Sequence, residues 1–167
     1  MSITADNIKA SSFKHNLVIY NDTKAISVDA GAFNSGSWVT RTLNTTVYSN
    51  QTNGTWASLS SNTITLQPGK YYIEAYCPCY NVGYNAARLY NVTDTTVDLE
   101  STMIYAANAA GTTAQGSAHI LGIVEITSAK DFRIEHRCAA TKTINGLGIE
   151  SFYTDSLYTT IVIFKLK

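Results

Sequence analysis

The alternation of apolar and polar residues along the chain predicts β-strands throughout and no helix. Successive side chains of a strand point to opposite faces, so a period of two marks a strand with one buried face. Three long segments, 71–80, 117–126 and 131–138, show this period most clearly. Shorter strands are predicted at 17–20, 25–28, 38–50, 64–66, 86–91 and 102–105.

The strands are of two kinds, which favours a sandwich of two antiparallel sheets. Segments 71–80, 117–126 and 157–166 are apolar or aromatic on both faces, whereas 86–91 and 131–138 are apolar on one face only. A surface strand normally alternates apolar with polar residues. We therefore expect one sheet to pack against other subunits and the second sheet to face water.

The last strand has two apolar faces, and the pattern leaves open which of them meets a partner. Its two sets are Leu157, Ile161 and Ile163, and Tyr158, Val162, Phe164 and Leu166. A sandwich core accounts for only one side of the strand, and we assign the first set to the interface. The predicted interface residues are Tyr72, Tyr76, His119, Leu121, Ile123, Leu157, Ile161 and Ile163.

Composition argues against nucleic-acid and membrane partners. Only 14% of the 167 residues are charged, 12 Lys and Arg balance 12 Asp and Glu, and no run of like charge occurs. Basic patches that follow phosphates or anionic lipids need more positive charge than this. No 18-residue apolar run or signal-peptide pattern is visible, so we expect no membrane insertion and synthesis in a cytoplasm.

The chemistry of a catalytic or metal site is not apparent either. The sequence lacks a nucleophile elbow, a zinc-protease helix motif, a Walker loop and a dinucleotide fingerprint. His119 and His136 both fall within predicted strands, where a satisfied histidine is the ordinary case. Asp94, Asp98 and Glu100 lie in one segment that is either a solvated loop or a calcium site. We expect no enzyme, no cofactor and no metal.

The three cysteines allow two interpretations. An odd number fits a reducing cytosol better than a disulfide framework. Cys77 and Cys79 fall on the same face of one predicted strand, where they would be buried thiols. The alternative is pairing of one of them with Cys138 or with a neighbouring subunit.

Several short motifs follow one another in an order that resembles a known group of proteins. They are Trp38 with Arg41-Thr42-Leu43-Asn44-Thr45, Pro68-Gly69-Lys70-Tyr71, Ala87-Arg88-Leu89-Tyr90-Asn91, Ile134-Glu135-His136-Arg137-Cys138, Gly146-Leu147-Gly148 and Tyr158-Thr159. Over residues 38–167 this order resembles the C-terminal domains of bacteriophage tail-fibre and related virion proteins. It is also distantly similar to the trimeric jelly rolls of the tumour necrosis factor and complement globular-head superfamily.

The resemblance implies a homotrimeric, all-β jelly roll of about ten strands with the last strand near the threefold axis. Residues 38–167 would form this domain, and residues 1–37 would be an arm, or the end of a fibre, attached to other virion proteins. The implied function is a tail-fibre tip in the virion that binds a host surface glycan or protein. The alternatives are a capsid decoration or head-spike protein and a free-standing trimeric lectin-like module.

The resemblance also implies that both chain ends lie at the attachment end, which allows the binding loops to be placed. Because consecutive strands reverse direction, loops at about 80–85, 106–116 and 139–155 then share the opposite, distal end. Loops at about 93–100 and 127–130 share the base. The distal residues predicted to bind ligand are Tyr80, Tyr84, Asn85, Asn108, Gln115, Lys142, Asn145 and Tyr153.

Overall fold

The computed structural model describes residues 16–52 and 54–167, and these residues form twelve strands and no helix. The strands are β1 (Leu17–Lys24), β2 (Val39–Thr40), β3 (Thr45–Asn50), β4 (Ala57–Ser60), β5 (Thr63–Leu66), β6 (Gly69–Tyr80), β7 (Gly83–Asn91), β8 (Thr96–Glu100), β9 (Ile104–Ala106), β10 (Gln115–Ile126), β11 (Lys130–Cys138) and β12 (Ser156–Lys165).

The strands form two antiparallel sheets. One has five strands in the order β10-β6-β12-β1-β3, and the other has seven, with the path β4-β5-β11-β7-β8 and with β2 beside β11 and β9 beside β7. Neighbours in space are mostly distant in sequence, so the chain crosses repeatedly between the sheets, as in a jelly roll. The predicted all-β sandwich is confirmed, although the strands number twelve rather than ten.

The core lies between the sheets and follows the period of two. In β6 the buried residues alternate with less buried ones from Tyr71 to Cys79, as the sequence predicts. Ile73, Ile120 and Ile134 are fully buried and belong to one apolar cluster. Each such side chain contributes about 1.5–3 kcal/mol by leaving water. A smaller cluster around Phe33, Val82 and Leu147 fills one end of the sandwich beneath the loops.

The strand predicted at 17–20 is present as part of β1, but it is not an edge strand, and it precedes the predicted domain boundary at residue 37. Strand β1 lies inside the five-stranded sheet, between β12 and β3. Residues 25–28 form a turn rather than a strand, with the Val28 amide donating to the Ala25 carbonyl at 3.2 Å. The jelly roll therefore includes residues from Leu17 onward. The predicted arm over residues 1–15 lies outside the described residues.

The single strand predicted over 38–50 is two strands in different sheets. Strand β2 pairs with β11 and β3 pairs with β1, so the chain crosses the sandwich over 41–44. The Arg41 side chain is buried at this crossing. Its Nε donates to Thr159 Oγ1 at 2.7 Å and its Nη2 to the Leu147 carbonyl at 2.9 Å. Period two fails here because the crossing interrupts it.

A β-bulge in β12 accounts for a further error. Asn21 pairs with Thr160 but Thr23 pairs with Leu157, so β12 has one residue more than β1 in this interval. The extra residue moves Leu157 to the face opposite Ile161 and Ile163. Ile161 and Ile163 are in the core, where no partner subunit can reach them. Their assignment to the interface is therefore wrong.

All three cysteines are buried free thiols, which decides between the two interpretations of the sequence. Burial raises the pKa of Cys77 to about 12 and those of Cys79 and Cys138 to about 11. The Cys138 thiol donates to the Ala140 carbonyl at 3.3 Å. These thiols are protonated and shielded at neutral pH.

We expect the native protein to leave a thiol reagent such as Ellman's reagent unreacted, and all three thiols to react after denaturation. Added reductant should leave the melting temperature unchanged, because no disulfide holds the fold. Thiols in the unfolded chain ionise from about pH 8.5 while the buried ones stay protonated. The unfolded state then binds fewer protons, so the free energy of unfolding should fall as pH rises above about 8.5. Rapid labelling of the native protein would contradict this prediction.

Candidate functional site

The outer face of the five-stranded sheet carries apolar side chains in place of the polar ones usual on a surface sheet. Strand register arranges them in rows that cross the sheet. One row holds Leu121, Glu74, Val162 and Ile19, and the next holds Ile123, Tyr72, Phe164 and Leu17. We call this surface the apolar face.

The apolar face is exposed in the single chain. Leu121 is 51% exposed and Ile123 is 54% exposed. Exposed apolar patches of this kind are typical of surfaces that bind another protein. Tyr72, Tyr76 and His119, together with these two, belong to the predicted interface, and the structure brings all five onto this face. Their role as an interface stays a prediction.

A carboxylate in the middle of the apolar face accepts two local hydrogen bonds through one of its oxygens. The Tyr76 hydroxyl donates to Glu74 Oε1 at 2.5 Å, and His119 Nε2 donates to the same oxygen at 2.9 Å. The His119 ring stacks on Tyr76, with 4.4 Å between centroids. The hydrogen bond from Tyr76, followed by that from His119, lowers the pKa of Glu74. A carboxylate with these hydrogen bonds can be covered by a partner at lower cost than a bare one.

The predicted distal loops do meet at one end of the sandwich. The Tyr80 amide donates to the Gly146 carbonyl at 3.0 Å, the Asn81 amide to Ala114 at 3.0 Å and the Ala140 amide to Val82 at 3.0 Å. At the opposite end, the Lys165 amide donates to the Asn16 carbonyl at 2.9 Å. The first described residue and the C-terminus thus share the base. Residues 96–100, predicted as part of a base loop, form β8 instead.

The eight predicted ligand-binding residues do not form one site. Asn85 is buried and its amide is used internally: Nδ2 donates to the Gly83 carbonyl and Oδ1 accepts from His136 Nε2, both at 3.0 Å. Its role in ligand binding stays a prediction. Burial, and then the charge of Arg41, lowers the pKa of His136 well below its usual range. Asn85 therefore holds a neutral core histidine.

Six of the other seven residues are spread over the distal end. Tyr80 lies 5.6 Å from the Lys142 ammonium, and Lys142 and Asn108 line a pocket of about 320 Å³. Tyr153 is highly exposed on a loop that is bonded to the 25–28 turn through the Ser151 carbonyl. Gln115 is exposed at the start of β10, and Asn145 is half-buried in the loop before β12. Tyr84 lies elsewhere, on the outer side of the seven-stranded sheet.

Tyr84 lines the groove that the structure places on the outer face of the seven-stranded sheet, near the distal end. The groove has a volume of about 540 Å³. Its other large side chains are Trp38, Met103 and Arg137. The sequence analysis did not predict these three as site residues, although the alternation in β11 placed Arg137 on the outer face. We call this surface the lateral groove.

An ion triad around a buried carboxylate holds the sheet beside the lateral groove. Arg88 Nη2 and Arg133 Nη2 each lie 2.6 Å from the Glu135 carboxylate. Glu135 points outward as the alternation predicts, but only 3% of it is exposed. The Arg88 guanidinium also lies 4.1 Å from the centre of the Trp38 ring. The triad thereby fixes one wall of the groove.

No alternative site chemistry emerges from residues 16–52 and 54–167. Within them, no group of three His, Cys, Asp or Glu side chains is placed to hold a metal ion. Asp94, a member of the acidic segment, forms a 2.6 Å ion pair with Lys130. This part of the chain also contains no helix that could cross a membrane.

Comparisons with known proteins identify the fold. No protein-family model matches the chain, and no curated protein matches it. Among solved structures it is similar to murine APRIL, of the tumour necrosis factor family, in crystals at pH 5.0, 8.0 and 8.5. The identities are 9%, 10% and 12% and the TM-scores 0.58, 0.53 and 0.53, and each match covers 92% of this chain and 100% of the other. At such identities the likeness concerns the fold alone: the protein is a tumour necrosis factor-like jelly roll.

Proposed function

We propose that the protein is a homotrimeric receptor-binding tip of a bacteriophage tail fibre. In this proposal the base joins other virion proteins and the distal half binds a glycan or protein on the host surface. The resemblance of residues 38–167 to tail-fibre domains supplies the virion context. The structure supports the proposal through the apolar face, which needs a partner, and through the separation of base and distal end.

The apolar face is the observation that carries the proposal. Strands lie about 4.8 Å apart and rise about 3.3 Å per residue, so this sheet presents roughly 20 by 40 Å to its surroundings. That area, on the order of 800 Å², is what one partner contributes to a standard interface. Closed rotational symmetry lets identical faces cover one another around an axis. Three copies arranged in this way leave the seven-stranded sheets outside.

The arrangement of the chain ends supports attachment through the base. Asn16 and Lys165 are hydrogen-bonded at the base, so the N-terminal segment joins the described domain there. The loops 107–114 and 139–155 then point away from the attachment. Loops on a rigid scaffold are where binding residues concentrate.

Binding to intact bacteria tests this proposal. Labelled protein incubated with a panel of bacterial strains should bind some strains and, added in excess, should block adsorption of phage to them. We expect the double variant Tyr84→Ala and Tyr153→Ala, which removes two exposed distal aromatic rings, to lose most of this binding. Flow cytometry measures the bound protein.

The matched control is Thr127→Ala in the exposed base loop, which should bind as the native protein does. Trimer mass and melting temperature should be unchanged in both variants. Loss of binding in the base variant with none in the distal variant would reverse the assigned polarity. Fixed stoichiometry on purified capsids without binding to cells would indicate a decoration protein instead.

A further inference from the structure

We infer that the lateral groove binds an acidic sugar, with its carboxylate on Arg137 and its ring against the aromatic walls. This inference rests on the proposed function and names the ligand class and the site. The groove lies on the sheet opposite the apolar face, so trimer formation leaves it open. Its volume of about 540 Å³ is in the range of small-molecule sites, about 300–1,000 Å³.

The groove exists because a small side chain lies between large ones in the same row. Ala86 on β7 pairs with Arg137 on β11. On the other side, Asn85 pairs with Ile104, which places Met103 beside Ala86. On the far side of β11, His136 pairs with Val39, which places Trp38 beside Arg137. The floor is therefore alanine, and the walls are Met103 on one side and Arg137 with Trp38 on the other.

The walls of the lateral groove are apolar, although they lie on the solvent-facing side of the sheet, where polar side chains are usual. Met103 is 69% exposed and Tyr84 is 61% exposed. Tyr105, which is also exposed, packs against Tyr84 with 4.8 Å between ring centroids and holds it in place. Exposed aromatic rings with restrained orientation present flat apolar surfaces at low entropic cost. The apolar face of a pyranose ring matches such a surface.

The charge of the groove selects the ligand class. Arg88 and Arg133 are both paired with Glu135, and Arg41 is bonded inside the core. Among the described residues, no carboxylate is within ion-pair distance of Arg137, and none lines the groove. An unpaired guanidinium presents two parallel N–H donors that fit a carboxylate. A neutral sugar would leave this donor pair without its best acceptor.

The test compares one polysaccharide before and after removal of its charge. Surface polysaccharide extracted from a bound strain is divided, and the carboxyl groups of one portion are chemically reduced to alcohols. The native protein should bind the untreated portion at least tenfold more tightly than the reduced portion. Arg137→Gln should lose at least tenfold on the untreated portion and nothing on the reduced one. Biolayer interferometry measures both affinities.

Matched controls separate the groove from the rest of the distal end. Lys24→Gln removes a distal cation outside the groove, and Phe152→Ala removes an exposed distal aromatic ring outside it. Both should bind the untreated polysaccharide as the native protein does, whereas Tyr84→Ala should lose about tenfold. Each variant is first shown to keep the native mass and melting temperature.

Three outcomes would overturn the inference while leaving the proposed function standing. They are equal binding to both portions, native affinity in Arg137→Gln, and binding to cells with no binding to their polysaccharide, which would indicate a protein receptor. Failure of the proposed function looks different, because the native protein would then bind no strain at all.

Discussion

Replacing Ile161 with aspartate will leave the protein unfolded, whereas the same change at the next residue, Val162, will give a folded chain. Ile161 is fully buried between the sheets. Truncating such a residue to alanine alone costs about 2–5 kcal/mol. Aspartate adds an unpaired carboxylate to an apolar core, and the whole protein is stable by only about 5–15 kcal/mol. Circular dichroism and thermal melting measure the outcome.

Val162 is the matched control because it belongs to the same strand and points the opposite way. Its side chain lies on the apolar face beside Glu74. In the single chain an aspartate there reaches water, so we expect folding to survive and assembly to fail. A cooperative native-like melt for Ile161→Asp would show that the assigned faces of β12 are reversed.

The double change Leu121→Asp and Ile123→Asp should give a folded monomer in place of the proposed trimer. Both side chains are about half exposed in the single chain, so the fold tolerates their replacement. In the trimer the change would bring six carboxylates into one desolvated interface. A buried unpaired charge is strongly destabilising, and threefold symmetry would place each new aspartate in the interface three times. Analytical ultracentrifugation measures the loss of assembly.

The control for this double variant is Val97→Asp, which adds charge to β8 on the other sheet. Val97 is exposed there and lies away from the apolar face. We expect the native trimer mass for this variant. If the double aspartate variant also keeps the native mass, the apolar face is not the interface.

The strands of the five-stranded sheet were the most predictable part of the fold. In β6 the core residues occupy every second position from Tyr71 to Cys79, and in β10 they do so from Ala118 to Ile126 except at Gly122, so the period of two assigns the core face of both strands. The bulge in β12 broke this rule, since one extra residue between Leu157 and Thr160 exchanges the faces of the strand. Nothing in the local pattern marks that residue, because both faces of β12 are apolar.

The lateral groove could not be predicted from the sequence, for a different reason. Trp38, Tyr84, Met103 and Arg137 come from four separate segments, and only the pairing of β2, β11, β7 and β9 brings them together. The predicted distal residues are scattered in part for the same reason. Asn85 looked like a loop amide, but the structure buries it against His136. Alternation reports burial within a strand and carries no information on which strands are neighbours.

The central claim is that the apolar face joins three copies of the chain. Multi-angle light scattering at micromolar concentration tests it most directly. The account predicts a single species with three times the 18.2 kDa mass of the chain. A monomer at that concentration, with the five-stranded sheet exposed to water, would contradict it.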